Sequence, residues 1–342
     1  MLSPARFSKS ISLVALLALA ATVLSFCVGP SWLSPGSLFD ALFNADSDTT
    51  ESAVALLRLN RTFAGLVVGA CLSLSGALCQ GVLRNPLADP YILGISGGAG
   101  LAVVISLAFL GGVVGVGGFL LAAPAVLGAA LAVLTVVAFL AKFPRLGLEG
   151  VLLVGVMINS FCAAIILTVA SFLGEAQLLS FYRWLLGSLS SQSYEWSALA
   201  PALILVAGLS AILLIDAKRL NLLALSADEA SSLGMNVPAM RKYFLVIAAV
   251  LCAVSVALAG LVGFVGLVAP HLCRRIIGAD ARLLLPCSAL LGAALVVLCD
   301  TVARTVVSPS EMPVGVVTAL VGAPVFMSVL VSRAARSAKR SV

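Results

Sequence analysis

Apolar residues in this chain come in long unbroken blocks, without the alternation or three-to-four spacing of a soluble domain. Stretches free of charged residues cover 10–39, 62–83, 90–141, 150–174, 196–215, 243–273, 283–299 and 312–332. About 20 apolar residues in a helix cross the hydrocarbon core of a bilayer, so each block predicts at least one helical span. The 90–141 block is long enough for two, with GGVVGVGG at 111–118 as the turn between them. The 243–273 block suits one and a half to two spans, and Gly260, Gly263, Gly266 and Pro270 interrupt it. Residues 1–342 thus read as one all-α unit of ten membrane spans.

Composition agrees. The chain is 62% hydrophobic and 10% charged, with a mean hydropathy of +1.19, whereas soluble domains are about half apolar and a quarter charged. Lys and Arg set the orientation. With the N-terminus, which carries Arg6 and Lys9, in the cytoplasm, ten spans return the C-terminus to the same side. The outer side then keeps only Arg58, Arg61, Arg183 and Arg304 of the 20 basic residues. The first block has the basic start of a signal peptide but no convincing small-residue cleavage site, and it reads as an uncleaved span. The net charge of +6 is cytoplasmic-side bias, with no basic patch for nucleic acid.

Several chemistries find no support. No GxxxxGK[ST] is present, so ATP has no P-loop here. No HExxH or Ser–His–Asp pattern occurs. The eight cysteines form no CxxC pair, lie almost all in apolar blocks and read as core packing. With one histidine, His271, a His-based metal site is improbable, and the expectation is no metal and no cofactor on this chain. A membrane-embedded enzyme would need a reactive constellation that is not visible. A stand-alone ion-coupled carrier usually buries ionisable groups in its spans; their dearth here points to energy from a partner.

Polar, helix-breaking stretches remain. RNPLADPYILG begins at Arg84, where Pro86 and Pro90 stop helices and bias the preceding residues to extended backbone. RLNR at 58–61 leads to it through Gly69, Gly76 and Gln80. LALSADEASSLGMNVPAMRKY at 223–243 places Asp228 and Glu229 near the start of a short helix and Gly234 at its end. GLVGFVGLVAPHLCRR at 260–275 precedes CDTVAR at 299–304. Gly76, Pro86 and Gly94 also recur, at one common offset, as Gly260, Pro270 and Gly278, which suggests inverted repeats of spans 2–5 and 7–10.

Together these stretches resemble the permease subunit of the uptake ABC transporters for iron–siderophore complexes, haem and vitamin B12, type II importers, from about residue 10 to 335. The resemblance implies a multi-pass protein of the bacterial inner membrane, working as a homodimer. Two ATPase subunits would bind below it, holding the ATP and Mg, and a periplasmic binding protein would deliver cargo from above. Arg58, Arg61 and Arg304 match arginines that dock glutamates of the binding protein, a task suited to the planar guanidinium fork. Asn60 replaces the proline common in that R-x-x-R. Asn85 and Leu87 match a cytoplasmic gate, and Leu148 and Glu149, more loosely, a second constriction. The segment of about 216–242 matches the ATPase-coupling helices, with Ala227, Asp228, Glu229, Leu233 and Gly234 at the contact. Met157, Asn159 and Ser160 are candidate path lining, and His271 reads as structural. Cargo is an iron chelate, siderophore or haem, with cobalamin as the alternative.

Overall fold

The computed structural model describes residues 4–29, 36, 50–110, 118–143, 147–189 and 196–338. The turn expected at 111–118 falls almost wholly outside them. Among the described residues the chain is helical throughout: α1 (Pro4–Cys27), α2 (Thr50–Val82), a 3-10 turn (Pro90–Leu93), α3 (Ile95–Leu110), α4 (Gly118–Lys142), α5 (Gly147–Ala170), α6 (Glu175–Leu185), α7 (Trp196–Ile215), α8 (Ala217–Leu222), α9 (Ala227–Ser232), α10 (Val237–Ala259), α11 (Val265–Ile277), α12 (Ala281–Thr305) and α13 (Val314–Ala338).

Five of these helices are long and apolar enough to cross a membrane, over Glu51–Val82, Leu121–Phe139, Gly150–Ala170, Val237–Ala259 and Ala281–Thr305. Four shorter apolar helices accompany them, over Ile11–Cys27, Ile95–Phe109, Leu199–Ile215 and Val314–Ser328. The 243–273 block resolves into one full helix, α10, and the 13-residue α11, which carries Arg274 and Arg275 in its last turn. Between them Gly260 and Phe264 both take φ of 68°, and the chain breaks.

Helix α2 is the centre of the bundle and packs on α12, α10, α11 and α1. Lipid supplies no hydrophobic force between apolar helices, so close approach of small residues and buried hydrogen bonds must hold them. Both occur. A Cβ on Gly69 would overlap the Gly292 carbonyl of α12, and one on Gly76 the Gly266 carbonyl of α11. Ser73 Oγ donates to Ser288 O, and Ser75 Oγ to Ala248 O, each at 2.6 Å.

Gln80 does a more specific task. Pro270 lacks the N–H that would close the helical bond to Gly266 O, four residues back. The Gln80 amide, 1% exposed, donates to that carbonyl at 3.3 Å and to Leu267 O at 3.2 Å. Non-helical bonding at membrane depth is thereby satisfied from a neighbouring helix.

The repeated Gly/Pro spacing does not mark equivalent elements. Gly76 is mid-helix while Gly260 caps α10, and Pro86 is in an irregular segment while Pro270 is inside α11. Only Gly94 and Gly278 share a role, as C-caps with φ of 86° and 91°.

Candidate functional site

Polar side chains gather at the two ends of the bundle. The first end holds the C-termini of α1 and α12 and the start of α2. The last carbonyls of α1 have no intrahelical donor and carry partial negative charge. Arg58 Nη1 donates to Phe26 O at 3.2 Å and to Cys27 O at 3.5 Å. Arg304 Nη2 donates to Ser25 O, and to Ser25 Oγ at 2.9 Å. Both arginines are buried, 6% and 3% exposed.

Arg61 forks between two acids. Its Nε and Nη2 hold the Asp300 carboxylate at 2.8–3.1 Å, and Nη1 meets both Glu311 oxygens at 3.0 and 2.9 Å. Asp300 is 3% exposed and Glu311 34%. Asp300 also faces Arg304 one helical turn on, at 4.0 Å. The structure therefore brings Arg58, Arg61 and Arg304 together, with two of the three turned inward onto α1. Arg183, in the last turn of α6, is exposed.

The second end is built on RNPLADP. Asn85 Oδ1 accepts from Leu87 N at 3.0 Å, closing a turn, and Asp89 Oδ1 caps the 3-10 turn through Tyr91 N at 2.8 Å. Leu87 is 39% exposed. Leu148 and Glu149 fall in the first turn of α5, and their side chains lie outside the described residues. Beside this segment runs the 216–236 connection with α8 and α9. Ser226 and Glu229 form the reciprocal capping box of α9: Glu229 N donates to Ser226 Oγ at 3.2 Å, and Ser226 N to Glu229 Oε2 at 2.9 Å. Those bonds hold the Glu229 carboxyl below its ordinary pKa. Ala227, Asp228 and Glu229 are exposed, Leu233 is 64% exposed, and Gly234 turns the chain at φ of 80°. Helix α9 buries only Ala230.

Between the ends lies a cavity of about 640 Å³, lined among others by Tyr91, Leu185, Leu261, Phe264, Val316 and Leu320. Tyr91 Oη accepts from Val262 N at 3.2 Å, tying the 84–94 segment to the α10–α11 break. Asn159 does not simply line a path. Its Nδ2 donates to Tyr91 O at 2.9 Å, and its Oδ1 accepts from Gly97 N at 3.0 Å. Met157 and Ser160 beside it are exposed. His271 follows Pro270 inside α11 and is half-buried.

Sequence reasoning passed over Asp300 and Glu311, although Asp300 stands one turn before Arg304. It also assigned no task to Arg84, Asn221 or Tyr91, and α8 was not anticipated.

This is a membrane protein of helical permease architecture. The chain belongs to the FecCD transport family, which matches residues 16–332. It is 40% identical to the hemin transport system permease protein HmuU of Yersinia pestis, over 84% of this chain and 86% of that one. It is 37% identical to the vitamin B12 import system permease protein BtuC of Salmonella arizonae, over 94% and 93%. An uncharacterized ABC transporter permease protein of Bacillus subtilis, YvrB, is 38% identical over 86% and 82%. Among solved structures it matches one described as an inward-facing conformation of a metal-chelate type ABC transporter, with TM-score 0.80 and 30% identity over 95% of this chain and 99% of that one. It is an ABC transporter permease, similar to subunits that import haem and vitamin B12.

Proposed function

We propose that two copies of this chain form the membrane channel of an importer that moves an iron chelate across the inner membrane. Two ATPase subunits would drive it, and a periplasmic binding protein would supply the cargo. The Arg58 end faces the periplasm and the Asn85 end the cytoplasm, in keeping with the distribution of Lys and Arg. The observation that carries the reading is α9. It is a short, internally capped helix with exposed acids and an exposed Leu233, held against an otherwise apolar bundle beside the Asn85–Asp89 turn. A helix that buries one residue of its own is positioned for a partner, and here the partner is the ATPase.

Docking of the binding protein centres on Arg61. Arg58 and Arg304 act from beneath, by fixing the α1 end against which Arg61 is set. An incoming carboxylate would exchange with Glu311, the more exposed of the two acids on Arg61. The apolar cavity beside Phe264 lies on the cargo path, so cargo passes without a charged site to hold it.

Reconstitution tests this. The chain, co-expressed with its ATPase and binding protein in proteoliposomes, is given haemin, ferric siderophores and cyanocobalamin. ATP-dependent uptake of an iron chelate is expected. Uptake of cyanocobalamin alone would replace the cargo assignment. Uptake driven by an ion gradient without an ATPase would overturn the importer reading.

A further inference from the structure

We propose that Arg84 is a positioning residue for transport: it hands movement of the 216–234 segment to the Asn85–Asp89 gate. The inference rests on the coupling and gating reading given above.

Arg84 immediately precedes the gate motif. Its φ is 50°, and it is one of two non-glycine residues with positive φ among the described residues. A side chain at that φ crowds its own backbone, so surrounding contacts must hold the conformation. They are visible. Arg84 Nε donates to Leu223 O at 2.9 Å, and Nη2 donates to Leu225 O. Those carbonyls sit between the end of α8 and the Ser226 cap of α9. One planar guanidinium thus bridges two main-chain acceptors of the coupling segment, which an ammonium on a flexible stem cannot reproduce.

Among the described residues, two other side-chain hydrogen-bond anchors hold the same segment. Asn221 Nδ2 donates to Asp280 Oδ1, and Asn221 Oδ1 accepts from Ala281 N, both at 2.8 Å, at the start of α12. Tyr243 Oη donates to Asp216 Oδ2 at 2.7 Å, on α10. These two lead to long helices in the body of the bundle. Arg84 alone among the three leads to the gate, three residues before Leu87. A shift of 223–225 produced by a partner on α9 would therefore pull the backbone at 84 and release or tighten the Asn85 turn.

The test uses the complete transporter with its co-expressed ATPase in proteoliposomes. All eight native cysteines are buried and free, so Leu87→Cys can be read with a membrane-impermeant maleimide over a low background. In that parent, ATP with vanadate is expected to change the labelling rate of position 87 several-fold. Arg84→Gln should abolish this change and lower uptake per ATP hydrolysed by about tenfold, the factor a charge-assisted hydrogen bond supplies. Arg84→Lys, keeping one contact at most, should give an intermediate response. If the parent responds and both variants respond equally, Arg84 is not the link. If the parent itself does not respond to nucleotide, the gating reading fails and the proposal with it. Should Arg84→Gln fail to assemble, Arg84→Lys decides: a parental response overturns the proposal, an intermediate one supports it.

Discussion

The Gln80–Pro270 arrangement allows a prediction worked from geometry. In Gln80→Leu, the carbonyls of Gly266 and Leu267 lose a donor at 3.3 and 3.2 Å in a site that is 1% exposed. Leaving a buried acceptor unsatisfied costs about 1–3 kcal/mol. Two features reduce that here. The bonds are long, and leucine removes a Gln80 Oε1 that accepts from no donor among the described residues. Hydrogen bonds between membrane helices average about 0.6 kcal/mol and reach about 1.7. The expected loss is therefore about 1–1.5 kcal/mol. At roughly 2–4 °C per kcal/mol for a chain of this order, the melting temperature in detergent falls by about 2–6 °C.

The decisive assay is a double-mutant cycle with Pro270→Ala, followed by tryptophan fluorescence on heating. Alanine restores the N–H that closes the bond to Gly266 O, so Gln80 is no longer needed there. Gln80→Leu should then cost less in the Pro270→Ala background than in the parent, with a coupling of at least about 0.5 kcal/mol. Equal costs in both backgrounds would refute the idea that Gln80 stands in for the missing helical donor.

Three further outcomes follow from the two ends. Glu311→Gln should alter stability by less than about 1 kcal/mol, because the pair is partly exposed, yet speed binding-protein association at low salt; Arg61→Ala should slow it, and biosensor rates insensitive to both changes would remove Arg61 from docking. Arg304→Met, which takes the donor from Ser25 O and the second neutralising charge, 4.0 Å away, from Asp300, should destabilise by about 2–4 kcal/mol; Arg58→Met, whose bonds are 3.2 and 3.5 Å, should cost less, and thermal melting in the reverse order would contradict the assignment of these contacts. Ser226→Ala should loosen α9 by about 1 kcal/mol, a roughly fivefold rise in amide exchange over 227–232; because the folded Glu229 pKa is lowered, its part in the box persists above the ordinary glutamate pKa of about 4.3 and is lost as pH falls through the lower folded value, so exchange protection corrected for intrinsic rate should stay flat from pH 7 to about 5.

The all-helical character was legible because lipid requires long apolar runs; the count was less so, since of the ten expected spans the described residues hold five helices long and apolar enough to cross and four shorter apolar ones. The breaks at Pro86, Pro90 and Gly260 were legible, since proline and glycine act locally. The short α9 was read from Asp228, Glu229 and Gly234, but its capping box was not: Ser226 stands three before Glu229 and closes the box with it only in the structure. What also escaped was every contact between residues distant in sequence. Arg61 meets Asp300 and Glu311, Arg304 meets Ser25, Gln80 meets Gly266 and Asn221 meets Ala281. Each of these residues was visible, but its partner depends on how α1, α2, α8, α11 and α12 come together. The short α8 was missed because six residues carry too little periodicity to stand apart from a loop.

The two ends use one device in different settings. Arg58 and Arg304 are buried on the carbonyls that end α1, while Arg84 is exposed on the carbonyls between α8 and α9. A guanidinium on main-chain oxygens depends on backbone position and not on the side chains there. Buried, that contact is costly to break, because the cation would be left without a partner away from water. Exposed, water can take over each bond, so the contact can be remade as the segment moves. The periplasmic end would then be the fixed frame on which a binding protein sits, and the cytoplasmic end the part that yields. Introducing a carboxylate to hold Arg84, as in Leu225→Glu, should bias the gate without disturbing docking. A change in binding-protein affinity equal to the change in Leu87→Cys labelling would mean that the two ends move as one body.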